Sequence, residues 1–360
     1  MKKKVLVVDD SALMRRVICD IINTDNEFEA VDTSKDGLEA YEKIKANKYD
    51  GVMLDVNMPR MSGLELLQKL NKEKIRVTVI MVSTLTTEDA DVTIQSMELG
   101  AVDFVTKPTN IVDAKGEDFK KALLDTMRGV LKSGNAANLF RPIKRPVKPP
   151  SKTLSPSVSR GGAIGSGKSK LVALACSTGG PKALQSVIPF LSKNMDAPMV
   201  LVQHMPKGFT KSMADRLNEI SEVEVRECKE GDKLEKGVVL VAQGGKHMEI
   251  VANPDGSHKI HLNDSPAVGG LKPYANLMYE SLRKSRFDEI TCVVLTGMGA
   301  DGTEGIVSLK KSKKIYTIAQ DEDTCVVYGM PRAIAEAGCT DEVVPLDNIA
   351  SQILKHVGVK

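Results

Sequence analysis

Residues 5–10 read Val-Leu-Val-Val-Asp-Asp, four consecutive apolar residues that end in two carboxylates. A strand with one wet face alternates apolar and polar residues, so an unbroken apolar run must be covered on both faces, as in a parallel sheet with helices on each side. The amphipathic stretch Ala12–Ile22 follows and supplies the first cover. Working outward, the same unit recurs. Apolar runs at Ala30–Asp32, Gly51–Val56, Thr78–Val82 and Val102–Thr106 alternate with helical patterns at Gly37–Ala46, Leu64–Lys72, Asp89–Leu99 and Phe119–Leu131. This alternation predicts a doubly wound parallel sheet of the α/β class over residues 1–130.

From 131 to 170 the composition changes to RPIKRPVKPPSKTLSPSVSRGGAIGSGKSK and its flanks, rich in Pro, Gly, Ser and basic residues. A flexible linker is expected there, and its roughly 38 residues span about 35 Å as a random coil. Residue 171 opens a second α/β series that runs to 360. Its strands are Leu171–Cys176, Pro198–Gln203, Val238–Val241 and Thr291–Thr296, and its helices are Pro181–Leu191, Phe209–Ile220, Ala275–Arg283 and Thr303–Lys311.

Composition excludes several classes. The 360 residues are 42% hydrophobic and 27% charged, which is ordinary for globular domains and enough for two cores. A formal charge of +3 gives no field for nucleic acid or anionic membrane. Six cysteines lack CxxC or Cys-His spacing and sit in apolar runs, as buried reduced thiols do. MKKKVLVVDD turns acidic too early for a signal peptide, and no apolar run nears the ~20 residues of a membrane span, so a cytoplasmic protein is expected.

Ligands of open parallel sheets bind beyond the carboxyl ends of the strands. In the first domain those ends carry Asp9 and Asp10, Asp55, Ser83 and Lys107. Three clustered carboxylates require a neutralising cation, and oxygen donors with room for water and phosphate suit Mg²⁺. With the metal and Lys107 beside it, Asp55 becomes a nucleophile towards a phosphoryl donor, and Ser83 and Lys107 can bind phosphoryl oxygens. The set VVDDS, LDVNMP, MVST and FVTKP resembles the response-regulator receiver domain, of flavodoxin-like fold. That resemblance implies Asp55 as phosphoacceptor, Asp9, Asp10, Asp55 and the Asn57 carbonyl around Mg²⁺, and Ser83 and Phe104 as switch residues.

Gly162–Ser169 matches the phosphate-loop pattern GxxxxGK[ST]. The pattern works only between a strand and a helix, whose first amides hold the phosphates. Here a linker precedes it and the strand LVALAC follows, so nucleotide binding is not expected.

In the second domain three strand ends carry groups suited to nucleophilic catalysis. LVALAC stops at Ser177, followed by a glycine pair and Pro181, which suit a tight turn into a helix. PMVLVQ stops at His204, and TCVVLT enters Gly297–Gly302, which contains Asp301. On one rim these give a hydroxyl nucleophile, a general base and the carboxylate that orients it, with backbone amides near Thr178 and Met298 as the oxyanion hole. Each also has a structural alternative: Ser177 as a helix cap, His204 as an interior histidine, Asp301 as a turn residue. Cys176 is the rival nucleophile, but strand alternation points it away from Ser177 and into the core. His247, His258 and His261 read as loop and strand residues rather than metal ligands.

ACSTGGP, VQHMPKGFT, GGKHMEI, LTGMGADG and QDEDTCVVYGMPRAIAEAG together resemble the chemotaxis protein-glutamate methylesterase (CheB) family, in which a receiver stands in front. The resemblance implies a Rossmann-like catalytic domain. It implies hydrolysis of glutamate γ-methyl esters on chemoreceptors to glutamate and methanol, deamidation of receptor glutamines, no cofactor for the hydrolysis, a chemotaxis histidine kinase as phosphodonor, and a monomer. Cys176 stands where Ala is often found, and KPYANLMYESL departs from the usual segment. The resting receiver is expected to cover the esterase rim and to release it on phosphorylation. A receiver joined to a DNA-binding effector fits less well, because the second half lacks a basic recognition helix.

Overall fold

The computed structural model describes residues 1–108, 110–132 and 168–359. Most of the stretch read as a linker, with all but the last two residues of the phosphate-loop pattern, lies outside the described residues.

The first domain runs β1 (Lys3–Val8), α1 (Ala12–Asn23), β2 (Phe28–Ser34), α2 (Gly37–Ala46), β3 (Gly51–Asp55), α3 (Gly63–Lys72), β4 (Val79–Ser83), α4 (Thr87–Glu98), β5 (Ala101–Thr106), the single turn α5 (Ile111–Ala114) and α6 (Glu117–Lys132). Its five strands are parallel in the order β2-β1-β3-β4-β5. Helix starts follow local chemistry: Ser11, Asp36, Ser62 and Thr86 each accept a first-turn amide, and Ser62 forms a reciprocal capping box with Glu65. β3 and β4 are buried throughout, and β1 from Val5 onward. β2 is an edge strand with alternating burial, which explains why a search for unbroken apolar runs finds only Ala30–Asp32 of it.

The second domain contains β6 (Lys170–Cys176), α7 (Gly180–Val187), β7 (Met199–Gln203), α8 (Phe209–Ile220), β8 (Glu224–Glu227), β9 (Val238–Val241), β10 (His247–Ala252), β11 (His258–Asn263), α9 (Ala275–Ser281), β12 (Glu289–Val294), α10 (Thr303–Lys310), β13 (Ile315–Gln320), α11 (Met330–Glu336), β14 (Glu342–Val344) and α12 (Leu346–Val357). Seven parallel strands lie in the order β14-β13-β12-β6-β7-β9-β8, and β10 and β11 form a separate antiparallel hairpin. The order reverses between β6 and β12, the switch point at which such sheets build sites. α7 ends at Val187, earlier than its apolar pattern, because Pro189 has no amide to continue the ladder.

The two domains share apolar packing. Ala90 and Ile94 of α4 join the core beneath α7 and α8, while Val326 joins the core of the first domain. Phe104 stacks on Phe209 with ring centroids 4.5 Å apart. Arg216 of α8 grips Glu98 through both carboxylate oxygens, at 2.5 and 2.9 Å.

Candidate functional site

In the first domain Asp9 and Asp10 follow β1 and Asp55 ends β3, and one oxygen or more of each lies within 4.8 Å of the others. Asp9 is fully buried and Asp55 nearly so. Lys107 reaches across from the end of β5 and pairs with both, at 2.7 Å to each. Burial raises the Asp55 carboxyl to about 6, opposed by the Lys107 charge and reinforced by Asp9. One ammonium against three carboxylates leaves excess negative charge. The buried Asp9 Oδ2 has no partner but that ammonium. Hard oxygen donors with a charge deficit of this kind fit a small divalent cation. Among the described residues no other cluster of His, Cys, Asp and Glu has metal-binding spacing. Asn57 is exposed beside Asp55, and its side chain bonds to Asp89 rather than into the cluster.

Ser83 is fully buried and turned towards α4: its hydroxyl accepts from Thr93 at 2.8 Å and lies 3.4 Å from the Asp89 carbonyl. Phe104 lies not beside Asp55 but between the domains, on Phe209.

In the second domain Cys176 pairs in register with Gln203, so Ser177 and His204 leave two adjacent strands side by side. The Ser177 amide donates to the Thr296 carbonyl at 3.0 Å, which ties in the turn after β12. That turn lies so close that a Cβ on Gly297 would stand 2.9 Å from Ser177 Cβ. Its far end carries Asp301, whose Oδ2 lies 2.7 Å from His204 Nε2. The His204 and Asp301 side chains are only 8% and 3% exposed, so their bond is shielded from water. Asp301 is also held from behind: the amides of Ala275 and Asn276 donate to its two oxygens at 2.7 and 2.9 Å. These are first-turn amides of α9, where a carboxylate is stabilised as the anion. The donors come from the segment KPYANLMYESL, and the sequence reading did not assign them this task.

The carbonyls of both glycine turns are committed, that of Thr178 to the Thr296 hydroxyl at 3.0 Å. The Ser177 carbonyl accepts from Gly180, and that of Gly297 accepts from Gly329 and Met330. Met298 is 42% exposed at the mouth of the site. Cys176 is fully buried in the core beneath α7, and burial pushes its thiol far above the ordinary range, which keeps it protonated. The histidines outside the site have separate surroundings. His247 bonds to the Pro266 carbonyl, His258 Nε2 accepts from the Arg286 amide, and exposed His261 pairs with Glu230.

One contact from the first domain enters this site. Asp103 of β5 accepts from the Gly179 amide at 3.3 Å, two residues beyond Ser177, and also bonds to the Thr178 side chain. Burial raises its carboxyl to about 7, against the lowering effect of the Phe104 and Gly179 amides and Thr178.

Fold and site together describe a two-domain α/β protein, with a cluster of three carboxylates and a lysine on one sheet and a hydroxyl, imidazole and carboxylate on the other. Residues 172–353 match the CheB methylesterase family, and residues 5–115 match the response regulator receiver domain. The protein-glutamate methylesterase/protein-glutamine glutaminase of Pyrococcus horikoshii is 41% identical over 358 residues, 99% of this chain and 94% of that one. The protein of the same description from Geobacillus kaustophilus is 42% identical over 99% of both chains. The crystal structure of the Thermotoga maritima CheB methylesterase catalytic domain, 38% identical, superposes with a TM-score of 0.51 and covers 52% of this chain and 99% of that one. The chain belongs to the CheB methylesterase family, with a receiver domain in front.

Proposed function

We propose that this protein is a phosphorylation-controlled esterase that removes methyl groups from glutamate γ-methyl esters of chemoreceptors and deamidates receptor glutamines through Ser177, His204 and Asp301. The observation that carries the site assignment is the shielded 2.7 Å bond from His204 to Asp301 beside the Ser177 turn. Nε2 of the imidazole is bound to the carboxylate, so Nδ1 takes the Ser177 proton. The hydroxyl attacks the ester carbonyl, the oxyanion is met by the Thr178 and Met298 amides, and His204 returns the proton to the departing methanol. Water then releases the acyl group by the same steps. A glutamine substrate follows the same course with ammonia leaving. None of these steps needs a cofactor.

In the receiver Asp55 is the phosphoacceptor, and Asp9, Asp10, Asp55 and the Asn57 carbonyl would hold Mg²⁺. The metal's charge offsets that of the incoming phosphoryl group. Lys107 contacts the phosphoryl oxygens, and Ser83 turns from α4 towards them. A chemotaxis histidine kinase is the phosphodonor, and the protein works as a cytoplasmic monomer. No helix among the described residues is long and apolar enough to cross a membrane. The Asp103, Phe104 and Glu98 contacts are the resting, inhibited arrangement, in which a receiver carboxylate is parked beside the nucleophile turn.

Methanol release from methylated receptor membranes tests the esterase. Ser177→Ala with Cys176 intact is expected to lose all of it, and retained hydrolysis would move the chemistry to another group. Labelling by a small phosphodonor is expected to vanish in Asp55→Ala, and undiminished labelling would remove Asp55 from its role.

A further inference from the structure

We infer that Gln203 is a positioning residue for the esterase, a buried amide that locks the nucleophile turn and the base turn into one rigid unit. This inference rests on the Ser177–His204–Asp301 reading.

Gln203 closes β7 immediately before His204 and is 2% exposed. Its Nε2 donates to the carbonyl of Ser177 at 3.1 Å and to that of His204 at 3.1 Å. One NH₂ group thereby spends its two hydrogens on the backbones of the two residues that must exchange a proton. They follow the ends of different strands, joined there by a stretched 3.3 Å bond from the His204 amide to the Cys176 carbonyl. The amide has one permitted orientation. Its Oε1 lies 3.0 Å from the Cys176 thiol, which donates to it. A flip would set Oε1 against two carbonyl oxygens. The site is also shaped for this side chain, because a Cβ on Gly180 would stand 1.9 Å from Gln203 Oε1. This accounts for the second glycine of the pair on steric grounds, and for a thiol at position 176 that is too deeply buried to react.

Displacing a catalytic group by about 1 Å costs on the order of 100-fold in rate. Gln203→Met keeps the volume and removes both donors. In the full-length chain, activated with a small phosphodonor and assayed on methylated receptor membranes, it is expected to lower kcat about 10- to 100-fold with KM within about twofold, since no contact to substrate is lost. A role in folding alone would lower the unfolding midpoint and leave kcat per folded molecule intact. Gln203→Glu is read through its pH profile. The buried acid, protonated at low pH, still donates one bond; ionised, it donates none, so kcat is expected to fall with rising pH along a limb that the native chain lacks. Cys176→Ala is expected to cost a few-fold in kcat and Cys176→Ser to restore it. A folded Gln203→Met chain with kcat within twofold of native would overturn the inference, as would a Gln203→Glu chain without the extra limb. If Ser177→Ala in parallel retains activity, it is the triad reading that has failed.

Discussion

Asp103 offers the sharpest test of the proposal that the receiver restrains the esterase. Its carboxyl stands at about 7 in the packed arrangement, against an ordinary 3.8, because burial disfavours the charge more than the Phe104, Gly179 and Thr178 contacts favour it. The difference is about 3 pH units, at about 1.4 kcal/mol each, so ionised Asp103 weakens the closed arrangement by up to about 4 kcal/mol relative to its neutral form. A group whose pKa rises on packing supports closure fully below its exposed value and loses that support as pH climbs to the packed one. Closure is thus strongest near pH 4, weakens up to pH 7 and is level above that. Asp103→Asn is a neutral near-isostere: its oxygen can accept from Gly179, though its NH₂ then faces the Phe104 amide that donates to the other carboxylate oxygen at 2.9 Å, and it carries no charge at any pH. In the unphosphorylated full-length chain its basal methanol release at pH 8 is expected to be at least tenfold below native. The mutant-to-native ratio is expected to rise towards one as pH falls to 5; taking the ratio cancels titration of His204. A ratio that is flat with pH, or a mutant more active than native, would refute the reasoning.

Other perturbations act on the same contacts from different sides. Glu98→Ala removes the carboxylate gripped by Arg216 at a site 19% exposed, which is worth about 1 kcal/mol after screening, so basal esterase activity is expected to rise a few-fold and phosphorylated activity to stay unchanged. Phe104→Ala gives up an aromatic stack worth about 0.5–1.5 kcal/mol as well as its buried area, and a larger basal rise is expected in the same assay. Gly297→Ala would set a Cβ 2.4 Å from Met330 Sδ and 2.9 Å from Ser177 Cβ, so kcat is expected to fall at least tenfold while Asp55 labelling persists. Gly63→Ala meets the Asp55 carbonyl at 2.2 Å, and the converse is expected: receiver stability falls by about 1–3 kcal/mol and labelling drops, while the activity of Ser177 survives.

What the sequence exposes and what it hides divides along physical lines. Strands covered on both faces announce themselves as apolar runs, and β1, β3, β4, β6, β7 and β12 were read close to their true limits. Their ends, where Asp9, Asp55, Ser177 and His204 stand, came with them. The hairpin His247–Ala252 and His258–Asn263 showed only as histidines on loop and strand segments, because its polar residues break the run and its burial depends on α9 rather than on its own pattern. β14 is three residues long and too short to carry a period. Gln203 was legible only as the polar end of a buried strand; its task depends on carbonyls that no spacing reveals. Phe104 was expected to be a switch residue, and its stacking on Phe209, 105 positions further along the chain, depends on tertiary packing. Asp103 gave no hint at all, because a lone acid in a strand is read as a surface residue until a second domain buries it.

The placement of Asp103 and Phe104 bears on how a phosphoryl group at Asp55 could loosen the esterase. Both lie on β5, and four residues beyond Asp103 the same strand delivers Lys107 to Asp9 and Asp55. The pairing of β4 with β5 skips Val102, a bulge that leaves this residue unpaired and re-aims those that follow. α4 is wired in the same way. Its first turn carries Asp89, whose carbonyl lies 3.4 Å from the Ser83 hydroxyl, and its far end carries Ile94 and Glu98 against α7 and α8. A phosphoryl group that draws Lys107 and Ser83 inward therefore pulls on the two elements that make the interdomain contact, each by its opposite end. Neither contact need break outright. Moving a two-state equilibrium from 1:99 to 99:1 takes about 5.5 kcal/mol, and an interface whose buried Asp103, at about 7, is losing its neutral form around neutral pH begins part of the way there. On this argument the carboxylate has two effects: it obstructs the nucleophile turn, and its charge keeps the obstruction weak enough for phosphorylation to remove.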